Sequence, residues 1–107
     1  MAVALVRRLL VAPALQAWQY SRPVLTLFTK EDCQLCEEAL EQLSPHLHKV
    51  TLEVIDIEEE GREAEYDKFR YEIPVFFFNK KFLCKNRIDL DKFDAAVDLA
   101  SQKTETD

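Results

Sequence analysis

The apolar residues of the chain form four short runs that predict β-strands. Val24–Phe28 and Val50–Ile57 are rich in β-branched and large apolar residues, which favours buried strands. Val75–Phe78 follows a proline and predicts a third strand, and Phe82–Cys84 predicts a short fourth. The polar residues 79–81 predict the turn of a closing hairpin between the last two runs.

Three further segments repeat their apolar residues at helical spacing. The first starts at Leu35 and carries an apolar stripe made of Leu35, Ala39, Leu40, Leu43 and Leu47. Residues 63–70 predict a modest second helix, and residues 89–100 predict a third. The order β-α-β-α-β-β-α predicts an α/β fold, because a strand–helix–strand start gives a parallel pair through a right-handed crossover. With the closing hairpin, we expect a mixed four-stranded sheet flanked by helices.

The two ends of the chain differ from its middle in composition. Residues 1–22 are largely apolar, contain Arg7, Arg8 and Arg22, and have no acidic residue, a composition typical of a mitochondrial presequence. A disordered or loosely packed N-terminal extension is the alternative interpretation. With 107 residues in all, the chain has room for one core. We therefore expect a single domain over residues 23–100, followed by a disordered tail over residues 101–107.

The charge and the cysteine content of the chain limit which classes of partner and which cellular compartment we expect. Residues 24–100 carry 18 acidic and 10 basic side chains, whereas nucleic-acid-binding domains usually present a basic surface. No apolar stretch approaches the roughly 20 residues of a membrane span. Three cysteines do not form the even-numbered framework of a small secreted domain. We expect no nucleic-acid or membrane partner, and a reducing compartment, mitochondrial or cytoplasmic, rather than secretion.

Cys33 and Cys36 lie where the first predicted strand gives way to the first predicted helix. The first N–H groups of a helix have no intrahelical partner and carry partial positive charge, which favours a thiolate at Cys33. Cys36 falls on the apolar stripe, so we expect it to point inward. An accessible, activated sulfur beside a shielded one is the arrangement that thiol–disulfide exchange requires.

The sequence resembles the glutaredoxin branch of the thioredoxin superfamily over residues 24–100, most closely the small glutaredoxin-like proteins of poorly assigned activity. The resemblance is carried by Lys30-x-x-Cys33-x-x-Cys36 after the first strand, by Ile73-Pro74-Val75 before the third, and by the closing hairpin and helix. It implies a thioredoxin-like fold, with Cys33 as the attacking thiol and Cys36 as the resolving thiol. It also implies a cis peptide bond at Pro74, and substrate binding by Lys30, Ile73 and Pro74.

The sequence departs from the glutaredoxin pattern at two places that bear on glutathione. Glutaredoxins usually have Pro-Tyr between the two cysteines, where this chain has Gln34-Leu35. They also have a pair of glycines after the hairpin, and alignment from Pro74 places Cys84-Lys85 there, with Arg87 where the family has an aspartate. Side chains at these positions stand where glutathione would approach the backbone.

Two functions of different classes follow from these residues. The first is a thiol–disulfide oxidoreductase that acts as a monomer on a disulfide-containing protein or small thiol, without a cofactor and with glutathione as a candidate co-substrate. The second is a non-catalytic binding module with vestigial cysteines. Binding of a metal cluster by two monomers through Cys33 is a third and weaker hypothesis. Cys84 has two interpretations: it is a small apolar residue buried in the core, or it forms a mixed disulfide or helps to ligate a metal or cluster. We expect no metal site, because His46 and His48 lie at the far end of the first helix.

Overall fold

The computed structural model describes residues 22–106, with side chains described over residues 22–102. Its elements follow the predicted order: β1 (Val24–Thr29), α1 (Gln34–Leu43), a 3₁₀-helix (Ser44–Lys49), β2 (Thr51–Asp56), α2 (Glu63–Phe69), β3 (Val75–Phe78), β4 (Lys81–Lys85) and α3 (Leu90–Thr106). Apart from Arg22, the predicted presequence lies outside the described residues. The part of the chain that is described contains no helix long and apolar enough to cross a membrane.

The four strands form one mixed sheet in the order β2-β1-β3-β4, which confirms the predicted α/β architecture. Strands β1 and β2 are parallel, with Val24 opposite Thr51. Strand β3 runs antiparallel to β1 and also to β4, where the register shifts between Phe76 and Phe77. Strand β1 is therefore central, and its carboxyl end leads directly into the loop that carries Cys33.

A two-residue turn closes the hairpin between β3 and β4. Asn79 and Lys80 both have positive φ angles, 48° and 72°, as hairpin turns of this length require. Asn79 also ties the turn to β1: its backbone N–H donates to the Val24 carbonyl, and its side-chain oxygen accepts from the Val24 N–H, both at 2.8 Å. The turn fixes the register of β4, whose carboxyl end lies beside the segment before Pro74.

Apolar side chains pack on both faces of the sheet, in two clusters. The main cluster joins the sheet to α1 and α3 and is centred on fully buried side chains, among them Leu25, Leu27, Leu43, Phe76 and Phe93. The second, which we call the dithiol cluster, consists of Cys36, Ile57, Phe69, Ile73 and Val75. Helix α2 belongs to this second cluster, where Phe69 packs against Phe28 at a ring-centroid distance of 4.9 Å.

The first helix differs from its predicted form at both ends. Leu35 was predicted on the buried stripe, but its side chain in the first turn of the helix is 37% exposed, whereas Ala39, one turn further along the same stripe, is 2% exposed. The α-helix ends at Leu43, and a 3₁₀-helix follows that contains Pro45. Proline has no N–H for the α-helical ladder, so the helix changes type before Leu47, which still packs on the main cluster.

The last helix extends beyond its predicted end. It was predicted to stop at residue 100 and to leave a disordered tail over residues 101–107, but α3 runs from Leu90 to Thr106. Residues 101–106 contain neither proline nor glycine, so nothing in their composition ends the helix. Ser101 and Gln102 are polar and exposed, so no apolar periodicity marks the continuation of the helix beyond residue 100.

Candidate active site

Cys33 and Cys36 are joined by a disulfide at the N-terminus of α1, with their Cα atoms 5.2 Å apart. Cys33 is the N-cap residue of the helix: its sulfur accepts a hydrogen bond from the Cys36 N–H at 3.2 Å, and its carbonyl accepts from the Glu37 N–H at 3.1 Å. An N–H donor aimed at sulfur stabilises negative charge there when the bond is reduced. This geometry agrees with the predicted position of Cys33 at the helix start.

The two sulfurs differ in exposure in the predicted sense. Cys36 is 3% exposed within the dithiol cluster, whereas Cys33 is half-buried and packs against the edge of that cluster. A reagent in solution therefore meets Cys33 first. Burial among Ile57, Phe69 and Val75 keeps Cys36 from reagents while leaving it within reach of Cys33.

The segment before β3 lies against the same cluster. The peptide bond between Ile73 and Pro74 is cis, as the resemblance implies. Ile73 is 8% exposed and shares the dithiol cluster with Cys36, and Pro74 is fully buried. The structure thus brings Ile73 to the cluster that holds the disulfide, and Pro74 follows it directly in the chain. The side chain of Lys30, the remaining predicted substrate-binding residue, makes no hydrogen bond or ion pair with any other described residue. Substrate binding by all three residues stays a prediction.

Two residues of β4 and the following loop hold the segment before β3 in place. The backbone N–H of Asn86 donates to the carbonyls of Pro74, at 2.8 Å, and of Glu72, at 3.1 Å. Lys85 forms an ion pair with Glu72, with Nζ 3.0 Å from Oε2. Sequence reasoning missed Asn86, although asparagine tolerates the left-handed conformation that it adopts there, at φ 69°.

Three acidic residues lie close to the disulfide in the sequence. Glu31, Asp32 and Glu37 are exposed, and none of them pairs with a basic residue in the described part of the chain. Asp32 has a φ of 60°, which turns the chain from β1 into the helix. Like charge near a thiolate disfavours it, so we expect these carboxylates to oppose a Cys33 thiolate and Lys30 to support one.

Cys84 is buried and lies in the main cluster, apart from the disulfide pair. Burial raises the pKa of its thiol, and the nearby Asp89 carboxylate acts in the same direction, whereas a backbone hydrogen bond to Asp89 and the charge of Lys92 partly offset the shift. Cys84 also lines an open cavity of about 650 Å³ between β4 and α3, together with Lys85 and Arg87. The burial agrees with the apolar role for this residue, and the ligand role stays a prediction.

The histidines lie at the opposite end of α1, as predicted. The His46 ring meets the Phe93 ring edge-on at 5.9 Å, and its Nδ1 is 3.2 Å from Lys49 Nζ. Over residues 22–106, no group of three or more histidine, cysteine or carboxylate side chains is arranged to hold a metal ion. His46 therefore serves packing at the edge of the main cluster.

Comparisons with known proteins agree with the fold and the motif. The profile of the family described as "Glutaredoxin-like domain (DUF836)" matches residues 24–98. The chain belongs to this glutaredoxin-like family. A curated relative from Dictyostelium discoideum, "Glutaredoxin-like protein YDR286C homolog", is 35% identical over 74 residues, which cover 64% of this chain and 68% of the relative.

Two solved structures share the architecture of this glutaredoxin-like chain. Protein Ne2328 from Nitrosomonas europaea, solved by NMR, is 32% identical and superposes with a TM-score of 0.61, covering 70% of this chain and 91% of its own. SA0789 from Staphylococcus aureus is 13% identical, with a TM-score of 0.51 and coverage of 76% and 93%, and shows similarity of fold alone. The family and the Cys33–Cys36 pair fit a thiol–disulfide redox role.

Proposed function

We propose that this glutaredoxin-like protein is a thiol–disulfide oxidoreductase in which Cys33 attacks and Cys36 resolves. The observation that carries the proposal is the disulfide at the start of α1, with one sulfur accessible and the other buried. The Cys36 N–H bonded to the Cys33 sulfur supports Cys33 as the thiolate, because an anion at that position gains a charge-assisted hydrogen bond.

The reaction has two exchange steps. The Cys33 thiolate attacks one sulfur of a substrate disulfide, so that a mixed disulfide forms and one substrate thiolate leaves. Cys36 loses its proton and attacks the Cys33 sulfur, which forms the Cys33–Cys36 bond and releases the second substrate thiolate. The substrate disulfide gains two electrons and the protein dithiol loses two. Because the protein's own sulfurs carry the exchange, the proposal needs no resident cofactor, and glutathione is a candidate co-substrate that restores the dithiol.

The test separates attack from resolution. In the full chain carrying Cys84→Ala, so that only two thiols react, we expect Cys36→Ser to accumulate mixed disulfides with its partners in cells. We expect Cys33→Ser, the matched control, to trap none. Mass spectrometry of the trapped thiols names the substrate. Equal trapping by the two variants, or no trapping by either, contradicts the proposal.

A redox titration addresses the alternative function. In glutathione buffers, we expect the Cys33–Cys36 pair to be half oxidised within the range of glutaredoxins, about −200 to −230 mV. Alkylation and mass measurement report the oxidised fraction. A pair that stays reduced in every buffer favours the non-catalytic binding module, in which the exposed carboxylates around Cys33 contact a partner. The monomeric state and a mitochondrial or cytoplasmic location stay predictions.

A further inference from the structure

A row of four side chains crosses the whole sheet on the face that carries α2. Thr26 lies opposite Glu53 on β2 and opposite Phe77 on β3, and Phe77 lies opposite Phe82 on β4. Residues opposite one another on neighbouring strands share a face of the sheet. Thr26 Oγ1 donates to Glu53 Oε1 at 2.9 Å, and the Phe77 and Phe82 rings meet edge-on at a centroid distance of 5.9 Å. We call these four residues the cross-sheet row.

Helix α2 covers only one end of this face. Its Phe69 ring packs against Phe28 at 4.9 Å, at the carboxyl end of β1. Val24 lies on the same face at the amino end of β1 and is 37% exposed, and Phe82 is 55% exposed. Val24 and two residues of the cross-sheet row also line an open cavity of about 610 Å³. Within residues 22–102, nothing covers this end of the face, and contiguous exposed apolar surface of this kind is typical of a binding surface.

The segment of chain that leads into β1 matches this surface in composition. Residues 1–21 are mostly apolar, carry Arg7 and Arg8 without any acidic residue, and include Trp18, the only tryptophan of the chain. Residues 24–100 carry 18 acidic and 10 basic side chains, and the Glu53 carboxylate is exposed at one end of the cross-sheet row. The segment therefore complements the open face both in apolar content and in the sign of its charge.

Trp18 is close enough in the sequence to reach the cross-sheet row. The six residues from Trp18 to Val24 span up to about 20 Å when extended. Phe82 lies two strands across the sheet from Val24 and two residues further along, which is about 12 Å. A segment tethered this closely meets the face at an effective concentration in the millimolar range, so weak contacts suffice to hold it there.

We propose that residues 1–21 dock on the open end of this sheet face, with Trp18 packed against Phe82. Tryptophan is the type of residue that most often anchors an interface, because one rigid ring system buries a large apolar area. The inference is independent of the proposed redox function. It favours an N-terminal extension packed on the domain over a presequence, and it enlarges the folded unit beyond residues 23–100.

The single tryptophan makes the proposal measurable in the full chain. With the Cys33–Cys36 disulfide formed, acrylamide quenching of Trp18 fluorescence reports how far the indole is shielded from solvent. We expect a Stern–Volmer constant several-fold below that of N-acetyltryptophanamide, and an emission maximum at shorter wavelength. Phe82→Lys should raise the constant towards that of the free amide and shift the emission to longer wavelength, because a charged side chain replaces the apolar contact. Phe82→Ala should act in the same direction with a smaller change in the strand.

Val54→Lys is the matched control. Val54 is 54% exposed on the other edge strand, but it lies opposite Leu27, whose side chain belongs to the main cluster on the opposite face of the sheet. We expect this variant to quench like the unmodified chain, and far-UV circular dichroism checks that each variant is folded. The inference is overturned if Trp18 of the unmodified chain is quenched as readily as the free amide, or if the Phe82 and Val54 variants behave alike. Shielding that disappears on dilution also overturns it, because a second copy then covers the indole.

Discussion

Lys85 Nζ lies 3.0 Å from Glu72 Oε2, so β4 and the segment before Pro74 are joined by an ion pair in addition to the Asn86 hydrogen bonds. Lys85 also lies opposite Val75 in the sheet, and Val75 belongs to the dithiol cluster. The alignment with glutaredoxins places a glycine at this position. In this chain, the residue at the same position is Lys85, whose charge binds Glu72 in the segment before Pro74.

We predict that Lys85→Met lowers the free energy of unfolding by no more than about 1 kcal/mol, because the two side chains are partly exposed and water screens their attraction. Chemical denaturation at low and high salt measures the effect, which should shrink as salt rises. Lys81→Met is the matched control, since Lys81 lies on the same strand and forms no ion pair with the described residues. A larger, salt-independent loss at position 85 means that packing of the lysine stem is the main contribution.

We predict that Asp32→Asn makes Cys33 more reactive. The substitution removes a carboxylate that directly precedes Cys33, and asparagine tolerates the positive φ of 60° at this position. The interaction of neighbouring charges in water is on the order of 1 kcal/mol, so the rate of Cys33 alkylation near neutral pH should rise a few-fold. The rate with iodoacetamide is measured on the reduced protein carrying Cys84→Ala.

Asp91→Asn is the control for that measurement, because Asp91 is an exposed aspartate in the first turn of α3, a different helix from the one that carries the dithiol. It changes the net charge of the protein by the same amount. If both substitutions accelerate alkylation equally, the net charge of the protein controls Cys33 and the neighbouring carboxylate has no special effect.

Most of the fold was predictable because local pattern and tertiary burial agree in the strands. Val75–Phe78 was predicted with its observed bounds, since a continuous apolar run after a proline has few alternatives in a chain of this size. Leu35 was misassigned because periodicity gives the spacing of apolar residues, whereas exposure in the first turn depends on where the helix meets the sheet. The hydrogen bonds of Phe69 and Asn86 to the segment before Pro74 were unpredictable, since they join groups that every residue carries.

We predict that Phe93→Ala destabilises the protein strongly, by about 3–5 kcal/mol, because this ring is fully buried between α3 and the sheet. The Phe93 ring packs edge-on against two other rings: its centroid lies 6.4 Å from that of Phe78 and 5.9 Å from that of His46. Urea denaturation of the disulfide form gives the change. Leu99→Ala on the same helix, with a side chain 55% exposed, should cost far less. Similar losses for the two variants contradict the burial of α3 through Phe93.

We predict that Cys84 makes stability fall at alkaline pH. Burial raises the pKa of its thiol above the ordinary value of 9.0 in the folded protein, so the unfolded chain loses this proton at lower pH than the folded chain. The stabilisation is therefore fully present below about pH 9 and is lost as the pH rises from there through the folded pKa, with a slope of at most about 1.4 kcal/mol per pH unit.

The Cys84→Ala variant isolates this titration when both proteins carry the Cys33–Cys36 disulfide, because Cys84 is then the one free cysteine of the chain. The free energy of unfolding is measured by denaturation from pH 7 to pH 10. The difference between the wild type and the variant should be constant up to about pH 9 and decrease above it, since every other titrating group is common to both. A difference that stays constant to pH 10 means that the folded protein accommodates the Cys84 thiolate as well as the unfolded chain does, which contradicts burial as the cause of the shift.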